Sequence, residues 1–232
     1  DGSFAARTIK AYSNQGGYAS HAHALVANAV NGFRMMYPVG AIKSEAYTVY
    51  TNLPTAGAMR AYGIPQIGFA LEAHVDDIAK QTGLDPIRLR KQNMMKLGYV
   101  DPITTITCHS TGLDECIERG EKYLDYTKKR LAYANQSGPI RKGVGMAIFC
   151  YKTGVYPISL ETSACRMILN QDGSLQMQIG ATEIGQGADT VFAMMAAQTI
   201  GVTVDKVHVV SKQDTDVTPY DTGAYASRQT YV

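Results

Sequence analysis

The sequence predicts an α+β protein in which mixed sheets pack against helices. Three observations carry that expectation. Capped helices dominate the first half, the composition changes at "NQSGP" (Asn135–Pro139), and beyond it strand-like segments flank a single helix. The first part, residues 1–135, is expected to be a helix-rich unit and the second, residues 143–232, an α/β unit.

Taken in order, Ser3 to Tyr12 has strand-like character, and Ala19 to Met36 places Leu25, Val26, Val30 and Phe33 at helical spacing before Pro38. The Tyr-, Thr- and Val-rich run from Ile42 to Leu53 suits an extended chain. Pro65 fits a first helical turn, and Ile67, Leu71, Val75 and Ile78 share one face until Gly83. Asp85 and Pro86 then form a cap and first position for another helix, to about Leu97. Leu113 to Ala134 reads as one amphipathic helix. Gly143 to Tyr151, Ser159 to Leu169 and Leu175 to Ile179 read as strands, with Asp172-Gly173 as a hairpin turn. A helix from Ala188 to about Gly201 and a strand from Lys206 to Ser211 complete the order.

Composition limits the function classes. A chain of 232 residues that is 45% hydrophobic and 18% charged can bury a real core. A formal charge of +2 gives no nucleic-acid surface, and Lys128-Lys129-Arg130 reads as a solvated helix face. The lack of a long apolar stretch leads us to expect a soluble, cytoplasmic protein with no membrane partner. Cys108, Cys116, Cys150 and Cys165 include no C-x-x-C pair and are expected as buried free thiols. His21 and His23 lack a nearby third ligand, so no metal site is expected there. Both ends look cut, as in a piece excised from a longer chain.

Three stretches invite a chemical reading. "GATEIGQGADT", Gly180 to Thr190, places a small-residue loop at the mouth of a helix. The unpaired amides of a helix start offer donors to a phosphate or oxo-anion, and glycines allow close approach. The spacing is neither that of a P-loop nor that of the dinucleotide fingerprint. A tight packing turn explains Gly185-Gln186-Gly187 equally well. In "GAMRAYGIPQ", Gly57 to Gln66, Arg60 suits an anion and Tyr62 a stacked ring; a solvated arginine and a core tyrosine are the plainer account. "DTGAYASRQT", Asp221 to Thr230, is either another backbone-lined wall or simply a loop.

Together, "TNLPTAGAMRAYGIPQ", "GLDPIRLRKQN", "GATEIGQGADT" and "YASRQT" closely resemble the molybdenum-binding subunit of the xanthine dehydrogenase and aldehyde oxidase family, in unbroken order along the whole chain. The wording is most similar to bacterial xanthine dehydrogenase subunits. The resemblance implies an internal fragment holding the end of a first molybdopterin-binding subdomain (1–135) and the start of a second (143–232). It further implies a molybdenum hydroxylase that oxidises xanthine, hypoxanthine or a related N-heterocycle with water as oxygen source. Electrons would leave through the pterin to iron–sulfur clusters and FAD on partner chains or regions. The cofactor would be molybdopterin in its mononucleotide or cytosine dinucleotide form, and the protein would orient it.

Carried residue by residue, Gly185, Gln186, Gly187, Ala226 and Ser227 would hold the cofactor. Arg60 and Ala226 would lie in the vicinity of the molybdenum, and Tyr62 and Tyr156 would face the substrate. In the family these parts converge on one crevice. The chain departs from the family's pattern in several places. The family's other glycine-rich loop is expected upstream of Asp1, and its glutamate base beyond Val232, so no catalytic residue is expected within the fragment, which alone would lack turnover. Asn28 stands where animal xanthine enzymes place an arginine, which weakens purine specificity. A nicotinate, aldehyde or other heterocycle hydroxylase therefore stays open, as does a non-catalytic anion-binding or interaction module on the same fold. No cysteine spacing suits an iron–sulfur cluster, which assigns those centres elsewhere.

Overall fold

The computed structural model describes residues 1–154, 161–210 and 212–232. They form two compact units, 1–151 and 152–232, each with its own core.

The first unit begins with a strand–helix–strand motif: β1 (Ala6–Gly16), α1 (Ala22–Met36) and β2 (Ala41–Tyr50), the strands pairing in parallel from Ala6 opposite Ala41 to a shift at Gly16. Parallel neighbours need a crossover, and α1 supplies it while burying Val26, Ala29, Val30, Phe33 and Met36 at helical spacing. The Arg7 guanidinium lies 4.4 Å from the Phe33 ring and donates to the Phe33 and Arg34 carbonyls, so β1 caps the end of α1.

Helix α2 (Ile64–Thr82) carries Pro65 in its first turn and ends at Gly83, whose left-handed backbone (φ 70°) lets its N–H reach the Ala79 carbonyl. Helix α3 (Pro86–Asn93) starts as expected, with the Asp85 side chain accepting from the Arg88 N–H at 2.8 Å. The long helix expected over Leu113–Ala134 is two: α4 (Leu113–Leu124) and α5 (Tyr126–Ala132). Asp125 adopts φ 48°, a conformation that Asp tolerates better than most residues, and the bend turns Tyr126 into the core.

Residues 143–151 are not a strand. The alternation is real, since Val144, Met146, Ile148 and Cys150 point inward, but the segment packs on helices of the first unit. Its Ile148 N–H donates to Glu72 Oε2 at 2.9 Å instead of to a ladder neighbour. That contact explains why the units divide after Tyr151 and not at the Asn135–Gly143 composition change.

Glu72 is the hub of this unit. Its carboxylate accepts from Tyr37 Oη at 2.6 Å, Arg90 Nε at 2.7 Å and the Ile148 amide. Arg90, 1% exposed, also donates to Asp76, to the Pro86 carbonyl and to the Glu72 carbonyl. Burial, and next the Glu72 carboxylate, raise the Tyr37 phenol well above its ordinary value, so it stays a donor.

The second unit has β3 (Cys165–Leu169) antiparallel to β4 (Leu175–Ile179), and β4 parallel to β5 (Val207–Val210). The hairpin turns at Asp172-Gly173 as the dipeptide predicts: Gly173 has φ 78°, and the Asp172 carboxylate accepts from the Ser174 N–H. Helix α6 (Ala188–Ile200) makes the crossover between β4 and β5, packing Phe192, Ala193, Ala196 and Ala197 onto Leu175, Met177, Ile179 and Val207. The mixed helices and sheets match the α+β class.

The four cysteines are free, but Cys116 and Cys165 are exposed, against the expectation of burial. Among the described residues no helix is long and apolar enough to cross a membrane.

Replacing Arg90 leaves the Glu72 carboxylate buried without its cation. Arg90→Leu in the full-length protein is therefore expected to cost about 3–5 kcal/mol, measured by denaturant unfolding. Arg88→Leu, which leaves the capped backbone amide in place, is expected to stay within about 0.5 kcal/mol. Equal losses would remove Arg90 from the centre of this unit.

Candidate functional site

The strand β4 delivers the chain to Gly180, and only glycine fits there. A Cβ would lie 2.3 Å from the Pro219 carbonyl oxygen and 2.6 Å from Asp221 Cβ. Gly180 thus joins the loop 180–187 to the segment that begins at Pro219, and Gln213 Nε2 accordingly reaches the Gly180 carbonyl at 2.7 Å.

The loop does not present bare amides. Glu183, which sequence reasoning passed over, accepts the Gly185 N–H at 2.7 Å, the Gly187 N–H at 3.1 Å and the Asp189 N–H at 3.3 Å. Desolvation pulls its carboxyl upward, but the amides of Gly185, Gly187, Asp189 and Ala188 outweigh that pull and hold it below the usual carboxylate range. The start of α6 is therefore neutralised by an internal acid, and the expected open anion cradle is already filled.

Gln186 is exposed at the apex of the loop. Its Oε1 accepts from the Ile184 N–H at 2.7 Å, and its Nε2 donates to the Thr182 carbonyl at 2.9 Å and to Gln229 Oε1 at 2.6 Å. Gln229 Nε2 also donates to Thr182, at 3.0 Å. This carboxamide pair ties the Gly185-Gln186-Gly187 loop to the "YASRQT" segment, two stretches that sequence reasoning singled out separately.

Ala226 and Ser227 both take φ 52°, an uncommon conformation for non-glycine residues. Arg228 holds them there. It is fully buried and donates to Asp221 Oδ1 at 2.9 Å, to the Gly223 carbonyl at 2.9 Å and to the Thr162 carbonyl at 2.7 Å. The Ala226 carbonyl in turn accepts from the Gly154 N–H at 2.8 Å. Ser227 remains exposed. Burial raises the Asp221 carboxyl, but the Gly223 N–H and Arg228 more than offset this and hold it low.

In the first unit, Arg60 is exposed and has no protein partner among the described residues. It precedes three left-handed residues in a row: Ala61 (φ 66°), Tyr62 (φ 50°) and Gly63 (φ 88°). Helix α1 fixes this turn. Asn28 Nδ2 donates to the Tyr62 carbonyl at 2.8 Å, His21 Nδ1 and Tyr62 Oη share a hydrogen bond of 2.9 Å, and Gly63 sits where a Cβ would meet the Leu25 carbonyl at 2.9 Å. Burial, then Tyr151, raise the Tyr62 phenol, which keeps its proton. Tyr156 lies outside the described residues.

An apolar cleft of the first unit, lined by Met36, Ile64, Ile67, Leu71, Ile148 and Cys150 among others, offers no charged side chain. Burial pushes the Cys150 thiol up to about 11, which leaves it unreactive at neutral pH. Among the described residues no three His, Cys, Asp or Glu side chains gather as metal ligands. The second unit offers a carboxamide pair, Gln186 and Gln229, beside an exposed hydroxyl, Ser227, groups that recognise hydrogen-bonding edges.

Known proteins agree in kind. Two models, each described as a molybdopterin cofactor-binding domain, match residues 1–94 and 119–232. A xanthine dehydrogenase molybdenum-binding subunit of Escherichia coli O157:H7 is 47% identical over 232 residues, covering all of this chain and 31% of that subunit. Quinoline 2-oxidoreductase from Pseudomonas putida 86 superposes with a TM-score of 0.82 at 23% identity, over 98% of this chain and 30% of that one. Aldehyde oxidoreductase from Desulfovibrio gigas gives a TM-score of 0.75 at 26% identity, over 96% and 25%. The chain thus spans less than a third of the length of each of these three relatives.

Two predictions test this geometry. Gly180→Ala is expected to destabilise the second unit by about 1–3 kcal/mol, while Gly143→Ala, where a Cβ meets nothing within 4 Å, stays near neutral in the same denaturant titration. Because the folded Asp221 carboxyl is held below its unfolded value of about 3.9, its contribution is complete at neutral pH and is lost as pH falls through the folded value. Acid unfolding of the wild type is expected to carry that loss, and Asp221→Asn, already weakened at neutral pH, to lack it.

Proposed function

This chain belongs to the molybdopterin cofactor-binding domain family, and from that premise we propose that it forms part of a molybdenum hydroxylase subunit acting on a purine or a related N-heterocycle. The observation that carries the reading is the 2.6 Å hydrogen bond between Gln186 and Gln229, which joins the two segments of the second unit that the resemblance assigns to the cofactor. When bound, the molybdenum–pterin group supplies oxygen insertion from water and accepts the electrons. The protein's own residues bind and orient that group.

Within the second unit, Gln186 offers its carboxamide to the cofactor, and Gly185 and Gly187 give it a close-approach backbone. Ala226 and the exposed Ser227 hydroxyl form the second edge. In the first unit, Arg60 is the residue for an anionic group near the metal, its guanidinium without a partner among the described residues. The Tyr62 ring faces substrate, and Tyr156 is assigned to it by resemblance alone. The pterin is the mononucleotide or the cytosine dinucleotide form. Iron–sulfur and FAD-bearing chains or regions take up the electrons, and the assembly works in the cytoplasm.

One observation favours a second substrate reading. Asn28, at the position where animal xanthine enzymes carry an arginine, is neutral and spends its amide on the Tyr62 carbonyl. It offers no cation to a purine carbonyl, which supports hydroxylation of nicotinate, an aldehyde or another heterocycle. Turnover of xanthine against these alternatives by the full complex separates the two.

Gln186→Ala in the full-length subunit with its partners tests the cofactor role. It is expected to keep most bound molybdenum and to lower kcat by roughly ten- to a hundredfold, the range for losing a supporting contact at a metal site. KM is expected to change little, because the contact is to the cofactor and not to the substrate. Unchanged kinetics at full metal content would reduce Gln186 to a packing element.

A further inference from the structure

We infer that Glu183 is the positioning residue of this loop: its carboxylate gathers the amides on both sides of Gln186 and so fixes the backbone from which the exposed Gln186 side chain reaches Ile184, Thr182 and Gln229. The inference rests on the reading that Gln186 serves the cofactor.

The geometry is specific. Glu183 Oε1 alone accepts from both Gly185 and Gly187, the two neighbours of Gln186, and Oε2 accepts from Asp189 in the first turn of α6. For two N–H groups flanking one residue to turn toward one oxygen, the chain must fold back at both. Gly185 (φ 97°) and Gly187 (φ 84°) do so. A Cβ at either position meets nothing within 4 Å, so the demand for glycine is conformational and not steric. With both flanking amides turned inward, the intervening side chain is exposed. The Ile184 N–H, the Thr182 carbonyl and Gln229 then fix its amide.

Alternative holders are missing where they would be expected. Gly187, which precedes α6, has no side chain to cap the helix. Glu183 does that work from four residues upstream, and its charge faces the positive end of the helix. A neutral isostere retains only one acceptor oxygen, so Gln at 183 keeps part of the clasp and Ala keeps none.

The experiment uses the full-length subunit in its native complex, with wild type, Glu183→Gln, Glu183→Ala and Gln186→Ala compared. Hydrogen exchange by mass spectrometry over residues 183–190 is expected to quicken roughly tenfold or more in Glu183→Ala, since the closed state loses its acceptor. Exchange in β4 and in Ala193–Ile200 should not change, which marks the unit as folded. In the same variant kcat should drop roughly tenfold with KM within about twofold, the signature of a disturbed supporting contact. Glu183→Gln should recover part of both. Unchanged loop exchange in Glu183→Ala overturns the inference, as does faster exchange with normal kcat while Gln186→Ala is impaired. Normal kcat in Gln186→Ala itself would instead overturn the reading beneath, whatever Glu183 does to the loop. If Glu183→Ala also loosens β4, the partial or absent response of Glu183→Gln decides.

Discussion

The first unit depends on a single buried carboxylate. Glu72 accepts from a phenol, a guanidinium and a backbone amide, and each donor comes from a different part of the chain: Tyr37 after α1, Arg90 in α3 and Ile148 in the extended segment 143–151. Burying an acid is costly unless its oxygens are fully engaged, and here they are. The result is that four stretches far apart in sequence are tied through one side chain. Without it the 143–151 segment has no ladder to join and is held by the apolar packing of Val144, Met146, Ile148 and Cys150 alone.

The second unit repeats the device in another form. Asp221 is held by the buried Arg228 and the Gly223 amide, and Glu183 by three backbone amides at the start of α6. Glu72, Asp221 and Glu183 are thus spent on the protein's own donors. Exposed in the second unit are the Gln186 carboxamide, itself hydrogen-bonded to Ile184, Thr182 and Gln229, and the Ser227 hydroxyl, and in the first unit the Arg60 guanidinium. Such groups orient a partner and bear its charge, whereas none of them is a ready proton acceptor at neutral pH.

Much of the fold was legible, for local reasons. Asp85-Pro86, Pro65 with Gly83, and Asp172-Gly173 each mark a boundary through their own backbone chemistry, and the structure has α3, α2 and the hairpin where they stand. The misreadings share a cause. Asp125 breaks the helix expected over Leu113–Ala134, and Gly143–Tyr151 alternates like a strand without pairing, because Tyr126 and Ile148 answer to a core that no local pattern describes. The site was legible in the same uneven way. Gly185, Gln186 and Gly187 stood out as a loop at a helix mouth, yet the partner that fills that mouth did not. An acid four residues before the last loop glycine belongs to no capping pattern, and Gln229 matters through hydrogen bonds to Gln186 and Thr182, more than 40 residues away in sequence.

That last point alters what the loop offers a ligand. An open helix start attracts anions by its amides and its dipole, and specificity for one anion over another is then weak. A start closed by Glu183 has no such general pull, and the Gln186 carboxamide is held in a fixed orientation by Ile184, Thr182 and Gln229; a carboxamide recognises hydrogen-bonding edges and not net charge. Net charge on a ligand at this loop must therefore be met by groups other than the amides at the start of α6.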